Sequence, residues 1–217
     1  MKPYYESGGI TIYHGDATEL LHEQRVQEHG PFDLLLTDPP YGIGSWSATG
    51  GNSLRADEVV AINRWDVRPS PDLLRAALAL ARYGVIWGGN YLCGMLGEWR
   101  SPLVWDKKIR GMHFADGELA WTNFDYGSLR IFEFAAGRSD ARGNRQHPTQ
   151  KPVELFQWCL GLVDAVCNVL DPFLGSGTTL VAAKNLGLEA VGIEIEERYC
   201  EIAARRLDQG VLNLGVS

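Results

Sequence analysis

The amino-acid sequence predicts an α/β fold, with one parallel sheet and helices packed on both of its faces. Short apolar runs typical of strands alternate along the 217 residues with stretches whose apolar residues recur at helical spacing. The hydrophobic fraction of 45% is sufficient for the core of a large globular domain, and no internal repeat or low-complexity tract is present. A ligand is therefore expected beyond the carboxyl ends of the strands, where folds of this kind bind their ligands.

The first half of the chain predicts three strands and two helices. Apolar runs predict the strands, which are expected at 9–16, 32–37 and 84–90. Apolar residues at helical spacing predict the helices at 17–27 and 70–83, and the Ser-Pro-Asp run before the second is typical of a helix start. The region of roughly 42–66 contains the polar run GSWSATGGNS, which predicts a mobile loop beside the ligand site.

The second half predicts five strands and three helices. The strands are expected at 101–107, 117–124, 127–135, 167–172 and 188–194. The second and third of these are separated by a short Asp-Tyr-Gly turn, which predicts that they form a hairpin. The helices are expected at 151–166, within 173–187 after a glycine loop, and at 195–209, and Pro152 suits the first turn of its helix.

Four carboxylates lie where predicted strands end, namely Asp16, Asp38, Asp171 and Glu194. Acidic residues without a function would be scattered over helix surfaces instead. Because the carboxyl ends of parallel strands meet at one edge of the sheet, we expect these four side chains to share one pocket.

The stretch FDLLLTDPPYG ends a buried strand in an unusual way. An ordinary turn after the acid would more often contain Gly, Asn or Ser. Here Asp38 is followed by Pro39, Pro40 and Tyr41, which form a stiff platform carrying one carboxylate and one aromatic ring. Taken alone, the four residues are also compatible with a rigid turn and a packed tyrosine.

The stretch DPFLGSGTT, residues 171–179, predicts a loop that approaches a ligand through its backbone. It lacks the lysine of a P-loop and the third glycine of the GxGxxG loop that binds a pyrophosphate. Glu194 ends the next strand 19 residues after Gly175, a position from which an acid accepts hydrogen bonds from ribose hydroxyls. Loop and acid together predict a nucleoside cofactor without a pyrophosphate.

Composition narrows the functional class further. The four cysteines form no CxxC pair, so neither a structural zinc site nor a disulfide framework is predicted, and a reducing compartment fits best. No apolar N-terminal stretch and no run of about 18 apolar residues is present, so we expect a cytoplasmic protein without membrane contact.

The charge of the chain is uneven. The net charge of −7 argues against broad, non-specific binding of nucleic acid. Residues 107–151, however, carry eight Lys and Arg against five Asp and Glu, a local balance of +3. This segment is either a local basic face or a solvated loop region with scattered charge.

Five motifs together resemble the S-adenosylmethionine-dependent DNA amino-methyltransferases. They are YHGDATELL at 13–21, DPPY at 38–41, WGGN at 87–90, HPTQKP at 147–152 and DPFLGSGTT at 171–179. DPPY resembles the catalytic motif and DPFLGSGTT the cofactor loop, and the catalytic motif comes first, as in the family's beta class. The resemblance covers nearly the whole chain. It implies a single Rossmann-like domain over 1–217, with a seven-stranded, mostly parallel sheet containing one antiparallel strand.

The resemblance also implies which residues hold S-adenosylmethionine. The glycine loop would hold the methionine part, Glu194 the ribose, Asp16 the adenine end, and Lys151 the cofactor carboxylate. The cofactor-binding residues expected in this way are Asp16, Lys151, Asp171, Phe173, Gly175, Ser176, Gly177, Thr178, Thr179 and Glu194. No metal is expected.

The catalytic residues implied are Asp38, Pro39, Pro40 and Tyr41. An exocyclic amino group is a poor nucleophile because its lone pair is delocalised into the base. Asp38 and the Pro39 carbonyl can each accept one of its N–H groups and aim the lone pair at the sulfonium methyl. Tyr41 offers a ring on which a base flipped out of double-stranded DNA can stack.

Target recognition is expected from the irregular segment at about 106–146. Its basic residues are expected mostly at phosphates, with some base contact. They are Lys107, Lys108, Arg110, Arg138, Arg142 and Arg145. The segment is short compared with many relatives, so a homodimer or another subunit stays open.

Adenine N6 is the predicted target, because the relatives with Asp at the first motif position are more often adenine enzymes. Cytosine N4 is the first alternative. RNA and protein-glutamine methyltransferases usually carry Asn there and use another motif order. A nicotinamide oxidoreductase is disfavoured by the missing GxGxxG, and a silent DNA-binding module by the intact Asp38, Tyr41 and Glu194. No Pro-Cys pair occurs, which excludes covalent transfer to cytosine C5.

Overall fold

A computed structural model describes residues 2–44, 66–111, 115–135 and 150–209. The strands of this part form one sheet in the order β1-β2-β9-β8-β3-β4-β6-β5-β7. Their bounds are β1 Tyr5–Ser7, β2 Ile10–His14, β3 Phe32–Thr37, β4 Ala81–Trp87, β5 Leu103–Asp106, β6 Gly117–Thr122, β7 Arg130–Glu133, β8 Asn168–Asp171 and β9 Glu189–Glu194.

The helices of the described part alternate with these strands. Their bounds are α1 Ala17–Leu20, α2 Gln24–Gln27, α3 Pro71–Ala79, α4 Gly89–Leu96, α5 Val153–Leu160, α6 Thr178–Asn185 and α7 Glu197–Asp208. The α/β class predicted from the sequence is therefore confirmed. No helix among the residues described is long and apolar enough to span a membrane.

The residues that the structure describes form a sheet of nine strands, so the prediction of seven was wrong. Strands β2, β9, β8, β3 and β4 pair in parallel, and β6 runs antiparallel between β4 and β5. These seven strands from β2 to β5 contain one antiparallel member, as expected. The two additional strands are short edge strands: β1 pairs antiparallel with β2, and β7 pairs parallel with β5.

The predicted hairpin was also wrong. Both β6 and β7 pair with β5, whose Leu103 lies opposite Ala120 on one side and Arg130 on the other. The turn between them is therefore a crossover past β5. Local turn residues gave no information about a strand from earlier in the chain that inserts between them.

Apolar residues on both faces of the sheet explain why its central strands are continuous hydrophobic runs. In β3, Leu34 and Leu36 pack into one core while Leu35 packs into the other, and all three are buried. A strand covered on both faces cannot alternate apolar and polar residues. The helices α5, α6 and α7 lie over the first face, and α3 and α4 over the second.

Helix boundaries differ from the predictions in identifiable ways. The stretch 17–27 forms two short helices, α1 and α2, and the helix predicted at 151–166 ends at Leu160. Helix α4 begins directly after Gly88, whereas the sequence of this stretch predicted only the end of a strand. The N-cap side chains Asp16 and Ser70 accept backbone N–H groups at the starts of α1 and α3.

The parallel strands end together at one edge of the sheet. His14 of β2 pairs with Glu194 of β9, Asp171 of β8 pairs with Gly192, and Thr37 of β3 pairs with Ile86 of β4. The residues that follow these strands therefore lie side by side, which places the candidate site. The predicted loop at 42–66 falls mostly on residues 45–65, which lie outside the described part.

Candidate active site

A cavity of about 600 Å³ lies at the carboxyl ends of the parallel strands. This volume is in the range of small-molecule sites. All four strand-end carboxylates line it, so the prediction that they share one pocket is confirmed. Of the predicted catalytic and cofactor residues, those that line the cavity are Asp16, Asp38, Pro39, Pro40, Tyr41, Lys151, Asp171, Phe173, Gly175, Ser176, Thr178, Thr179 and Glu194.

The Glu194 carboxylate lies against the glycine loop and accepts two backbone N–H groups. Its Oε2 accepts the N–H of Gly175 at 2.7 Å and its Oε1 accepts the N–H of Glu196 at 2.8 Å. Each carboxylate oxygen has two lone pairs, so both can still accept a ligand hydroxyl. Burial raises the pKa of this carboxyl, while the two backbone N–H groups oppose the rise.

Asp171 ties the glycine loop to two neighbouring elements. Its Oδ1 accepts the Thr37 hydroxyl of β3 at 2.6 Å and the Phe173 N–H at 3.1 Å, and its Oδ2 accepts the Thr179 hydroxyl of α6. Burial raises the pKa of Asp171 to about 6 in spite of these three donors. A cation bound in the cavity would favour the ionised form of this carboxyl.

The predicted residues of the glycine loop divide into two groups. Gly175 has a φ of +54° and open space where a Cβ would stand, so a ligand can approach its backbone. Gly177, the one predicted cofactor-binding residue that does not line the cavity, has a φ of +84° and lies against helix α7 instead. A Cβ on Gly177 would come within 2.7 Å of the Ala203 Cβ.

Helix α7 also holds the loop through Arg206. The guanidinium donates to the Ser176 carbonyl at 2.5 Å and contacts the Ser176 and Thr178 hydroxyls at 3.1 and 3.4 Å. Asp16, which also lines the cavity, accepts the Thr18 N–H at 2.8 Å, which fixes its carboxylate at the start of α1.

The Asp38 carboxylate is held by two partners. Its Oδ1 accepts the Tyr41 hydroxyl, and its Oδ2 lies 2.5 Å from the Lys151 Nζ. Burial raises the pKa of Asp38, and Lys151 opposes that rise. The two motifs that contain these residues are therefore joined by a direct ion pair.

The ammonium of Lys151 has three polar neighbours in the described part of the chain. Besides Asp38 it contacts the Glu118 Oε2 at 3.0 Å and the Tyr41 hydroxyl at 3.0 Å. Burial disfavours its charge, but Asp38 and Glu118 outweigh burial and raise the pKa of Lys151. Sequence reasoning assigned Lys151 to the cofactor carboxylate, whereas here it lies on the predicted catalytic carboxylate.

The ring of Tyr41 is fixed on two sides. Tyr91 of α4 stacks on it with ring centroids 5.1 Å apart and an interplanar angle of 21°. Gly88 lies against its edge, since a Cβ at that position would be 2.0 Å from the Tyr41 Cε1. The WGGN motif therefore makes room for the ring of the DPPY motif.

Asp66 holds the backbone that follows the DPPY motif. Its carboxylate accepts the N–H groups of Tyr41 at 2.9 Å, Gly42 at 2.9 Å and Gly44 at 2.5 Å. Arg68 adds a hydrogen bond from its Nε to the Tyr41 carbonyl at 3.1 Å. Asp66 and Arg68 both line the cavity, and neither was predicted.

The residues that sequence reasoning missed share one property. Glu118, Asp66 and Tyr91 stand within unremarkable stretches, and only their long-range contacts bring them to the site. For Glu118 one weak signal exists, an acid at the start of a strand that otherwise becomes apolar.

The basic residues predicted for DNA contact are only partly described. Lys107 pairs with Glu118 at 2.6 Å, Lys108 with Glu133 at 2.7 Å, and Arg110 with Asp106 at 2.7 Å. Each of the three thus has a carboxylate neighbour, and none lines the cavity. Arg138, Arg142 and Arg145 lie outside the described residues.

In the described part of the chain, no group of three or more His, Cys, Asp or Glu side chains is placed to hold a metal ion. The cavity instead combines a glycine loop, buried carboxylates and an aromatic platform.

The family model described as DNA methylase, for the N6 and N4 methyltransferases, matches residues 87–205, more than half of the chain. The chain belongs to the DNA methylase family. Among its relatives, the type II methyltransferase M.ScaI of Streptomyces caespitosus is 30% identical over 95% of this chain and 84% of its own length. M2.LlaDCHI of Lactococcus lactis subsp. cremoris is 28% identical over 96% of this chain and 93% of its own.

Solved structures show the same fold. The M1.HpyAVI complex with S-adenosylmethionine is 24% identical, with a TM-score of 0.59 over 92% of this chain and 99% of that one. The PvuII DNA methyltransferase, described as cytosine-N4-specific, is 16% identical, with a TM-score of 0.62 over 100% of this chain and 91% of that one. The Rossmann-like methyltransferase fold is thereby confirmed.

This DNA methylase is an S-adenosylmethionine-dependent DNA amino-methyltransferase. The residues of the cavity fit that cofactor on structural grounds. Asp171 and Glu194 supply buried carboxylates toward a cationic nucleoside, and Gly175 leaves the loop backbone open to it. DNA is the substrate of the family, and the base that is methylated is a separate question.

Proposed function

We propose that this DNA methylase transfers a methyl group from S-adenosylmethionine to the N6 amino group of adenine in double-stranded DNA. The observation that carries the proposal is the placement of Asp38. Its carboxylate lines the same cavity as the glycine loop and is held there by Tyr41 and Lys151. Asp at this motif position is more usual among adenine enzymes than among cytosine enzymes, which supports adenine as the target.

The cofactor in this proposal lies between the glycine loop and the strand ends. Glu194 would accept the ribose hydroxyls, and Asp16 would face the adenine end. The remaining contacts are assigned to Asp171, Phe173, Gly175, Ser176, Thr178 and Thr179. Gly177 contributes by letting the loop pass close to Ala203. S-adenosylmethionine supplies an electrophilic methyl group, whose bond to sulfur breaks as its bond to the amino nitrogen forms.

Asp38 and the Pro39 carbonyl hold the amino group of the target base. Two hydrogen bonds from that group localise the nitrogen lone pair and aim it, and such positioning supplies a large part of many rate enhancements. The nitrogen gives up one proton on methylation, and Asp38 lies where it can accept it. Pro40 keeps the platform rigid. The Tyr41 ring stacks on the base, which contributes roughly 1–3 kcal/mol by comparison with single-strand binders.

Entry of a duplex base into this cavity requires that the base be flipped out of the helix. We assign recognition of the surrounding DNA to residues 106–146 within a single domain spanning 1–217. Lys107, Lys108 and Arg110 would have to exchange their carboxylate partners for phosphate to take part. A homodimer is one way to enlarge this short recognition surface.

Cytosine N4 is the second candidate target. Both amino groups present two N–H groups, so Asp38 and the Pro39 carbonyl do not distinguish them, and the choice falls to contacts with the ring. The PvuII enzyme, described as cytosine-N4-specific, shares the fold at a TM-score of 0.62.

Labelled nucleosides separate the two candidates. The protein is incubated with S-adenosylmethionine carrying a radiolabelled methyl group and with unmethylated genomic duplex DNA, which is then digested and separated. Label in N6-methyl-2′-deoxyadenosine supports the proposal, and label in N4-methyl-2′-deoxycytidine replaces adenine by cytosine. Label in neither, with protein that binds the cofactor, contradicts both.

A further inference from the structure

Four charged side chains form an alternating row that begins at the cavity and leads toward strand β5. The sequence of contacts is Asp38 Oδ2 to Lys151 Nζ at 2.5 Å, Lys151 Nζ to Glu118 Oε2 at 3.0 Å, and Glu118 Oε1 to Lys107 Nζ at 2.6 Å. The row contains two acids and two bases, so its formal charge is zero. Each inner member lies between two partners of opposite sign.

The row is partly shielded from solvent, and most strongly at Lys151. The side chain of Lys151 is 5% exposed, and those of Lys107, Asp38 and Glu118 are 16%, 22% and 25% exposed. Ion pairs in such surroundings are screened little by salt, and a member that loses its partner is left as an uncompensated charge. The position of each member therefore depends on its neighbours.

Glu118 is the member that bridges the two lysines. One oxygen accepts from Lys107 and the other from Lys151, so the carboxylate fixes where the Lys151 ammonium lies between β6 and the end of β3. Lys151 in turn contacts both Asp38 and Tyr41. Displacing Glu118 would thus be transmitted to the two side chains on which the proposed chemistry rests.

We propose that Glu118 is a positioning residue for methyl transfer, which acts through Lys151 to hold the Asp38 carboxylate in place. The inference rests on the role proposed above for Asp38. It adds a residue outside the recognisable motifs, on the antiparallel strand β6, to the catalytic arrangement.

The row favours the charged forms of Glu118 and Lys151, whereas burial raises the pKa of Asp38, with Lys151 opposing this rise and Glu118 adding to it. Burial disfavours the charge of Glu118, but Lys151 and Lys107 outweigh it and lower the pKa of Glu118 to about 2. Lys151 has its pKa raised by Asp38 and Glu118 against the effect of burial. Within the row, Asp38 follows β3 and Lys107 follows β5. The other titratable groups near the row are Tyr41 after β3, Tyr91 of α4 and Asp171 of β8.

Removing the charge of Glu118 has a directional consequence. Without Glu118 the pKa of Lys151 falls, so the ammonium is lost at a lower pH than in the wild type. Activity that depends on this ammonium should then decline on the alkaline side, where the wild-type enzyme remains active. A side chain that only supported the fold would lower activity equally at every pH.

The test compares Glu118→Gln and Glu118→Asp with the wild-type protein in single-turnover methylation of unmethylated genomic DNA, from pH 6 to pH 10 with saturating cofactor. We expect Glu118→Gln to be roughly tenfold to hundredfold slower, in the range that small misplacements cost, with its alkaline decline moved to lower pH. Glu118→Asp keeps the charge and should return the decline toward its wild-type position. Glu201→Gln, which neutralises an exposed acid paired with Arg205 on α7, should leave rate and profile unchanged.

Three results would overturn the inference. Glu118→Gln could show the wild-type rate and profile, or it could lose activity equally at every pH, or Glu118→Asp could fail to restore the alkaline limb. Asp38→Asn, measured alongside, separates this from the proposed function. If Asp38→Asn is inactive while Glu118→Gln is normal, the inference alone is wrong. If Asp38→Asn retains the full rate, the role proposed for Asp38 is wrong and the inference falls with it.

Discussion

The Nζ of Lys151 lies 2.5 Å from the Oδ2 of Asp38, and this ion pair joins the HPTQKP motif to the DPPY motif. The family resemblance implied that the lysine would reach the cofactor carboxylate. In the structure its ammonium contacts Asp38, Glu118 and Tyr41. Lys151 therefore contacts the carboxylate that we propose to be catalytic, and its effects on rate and on cofactor affinity can be separated.

Lys151→Met should lower the single-turnover rate far more than the affinity for S-adenosylmethionine. The substitution keeps an apolar chain of similar length but removes the partner of Asp38 and Glu118. Because breaking a buried ion pair leaves an unpaired charge, we also expect a loss of about 3 kcal/mol in the free energy of unfolding. Titration calorimetry, rapid quench and denaturant unfolding measure the three quantities.

Lys108→Met is the matched control for stability, since the Lys108–Glu133 pair is solvent-exposed. Its loss should cost less than about 1 kcal/mol. A large drop in cofactor affinity with an unchanged rate in Lys151→Met would return Lys151 to the cofactor carboxylate.

Cofactor affinity should rise with pH up to about 6 and level off above it, because of Asp171. Its pKa is raised from 3.8 to about 6, so the free protein holds a proton that a bound cation would displace. One linked proton changes affinity by up to about tenfold per pH unit below the pKa. Calorimetry between pH 5 and pH 8 gives the slope.

Asp171→Asn should flatten this dependence, leaving the contribution of Glu194, whose pKa burial also raises. An unchanged slope in the variant would show that the linked proton belongs to another group.

Gly88→Ala should destabilise the protein and reduce activity, because the new Cβ would collide with the Tyr41 ring at a φ of +72°. Left-handed backbone at a non-glycine residue alone costs roughly 1–3 kcal/mol. Gly94→Ala in the same helix α4 is the control. Its Cβ would meet nothing within 4 Å, so the added helix propensity should stabilise by about 0.5–1 kcal/mol. Thermal unfolding of the two variants should shift in opposite directions.

Asp66→Ala should slow methylation while leaving cofactor affinity nearly unchanged. The carboxylate accepts three backbone N–H groups between Tyr41 and Gly44, and each such bond to a charged group contributes about 1.5–3 kcal/mol. Its removal frees the backbone that carries Tyr41. Asp66→Asn keeps one acceptor oxygen and should retain an intermediate rate in the same assay, and a full rate in Asp66→Ala would show that the loop is held by other contacts.

The carboxylates of the site were predictable because each follows a visible apolar run. Asp38, Asp171 and Glu194 end strands that are buried on both faces, and strand order in a parallel sheet then brings them together. The glycine loop was predictable for a similar reason, since its residues are contiguous. Local sequence carries this information because the fold uses the ends of its elements as the site.

What could not be predicted depends on pairing between distant segments. Glu118 reaches Lys151 only because β6 turns antiparallel beside β4, and β5 inserts between β6 and β7. The edge strand β1 is three residues long, too short for a periodic pattern. Gly177 belongs to the DPFLGSGTT motif. Its packing against Ala203 could not be predicted, because it depends on the position of α7.

The most direct test of the central claim, that Asp38 carries the methyl transfer, is the single-turnover rate of Asp38→Asn with cofactor and duplex DNA at saturation. Asparagine keeps the shape of the side chain and removes the charge that is proposed to accept the amino proton. We predict a rate about 10²- to 10⁴-fold lower than that of the wild type, with cofactor affinity changed only slightly. A rate within twofold of the wild-type value would contradict the claim.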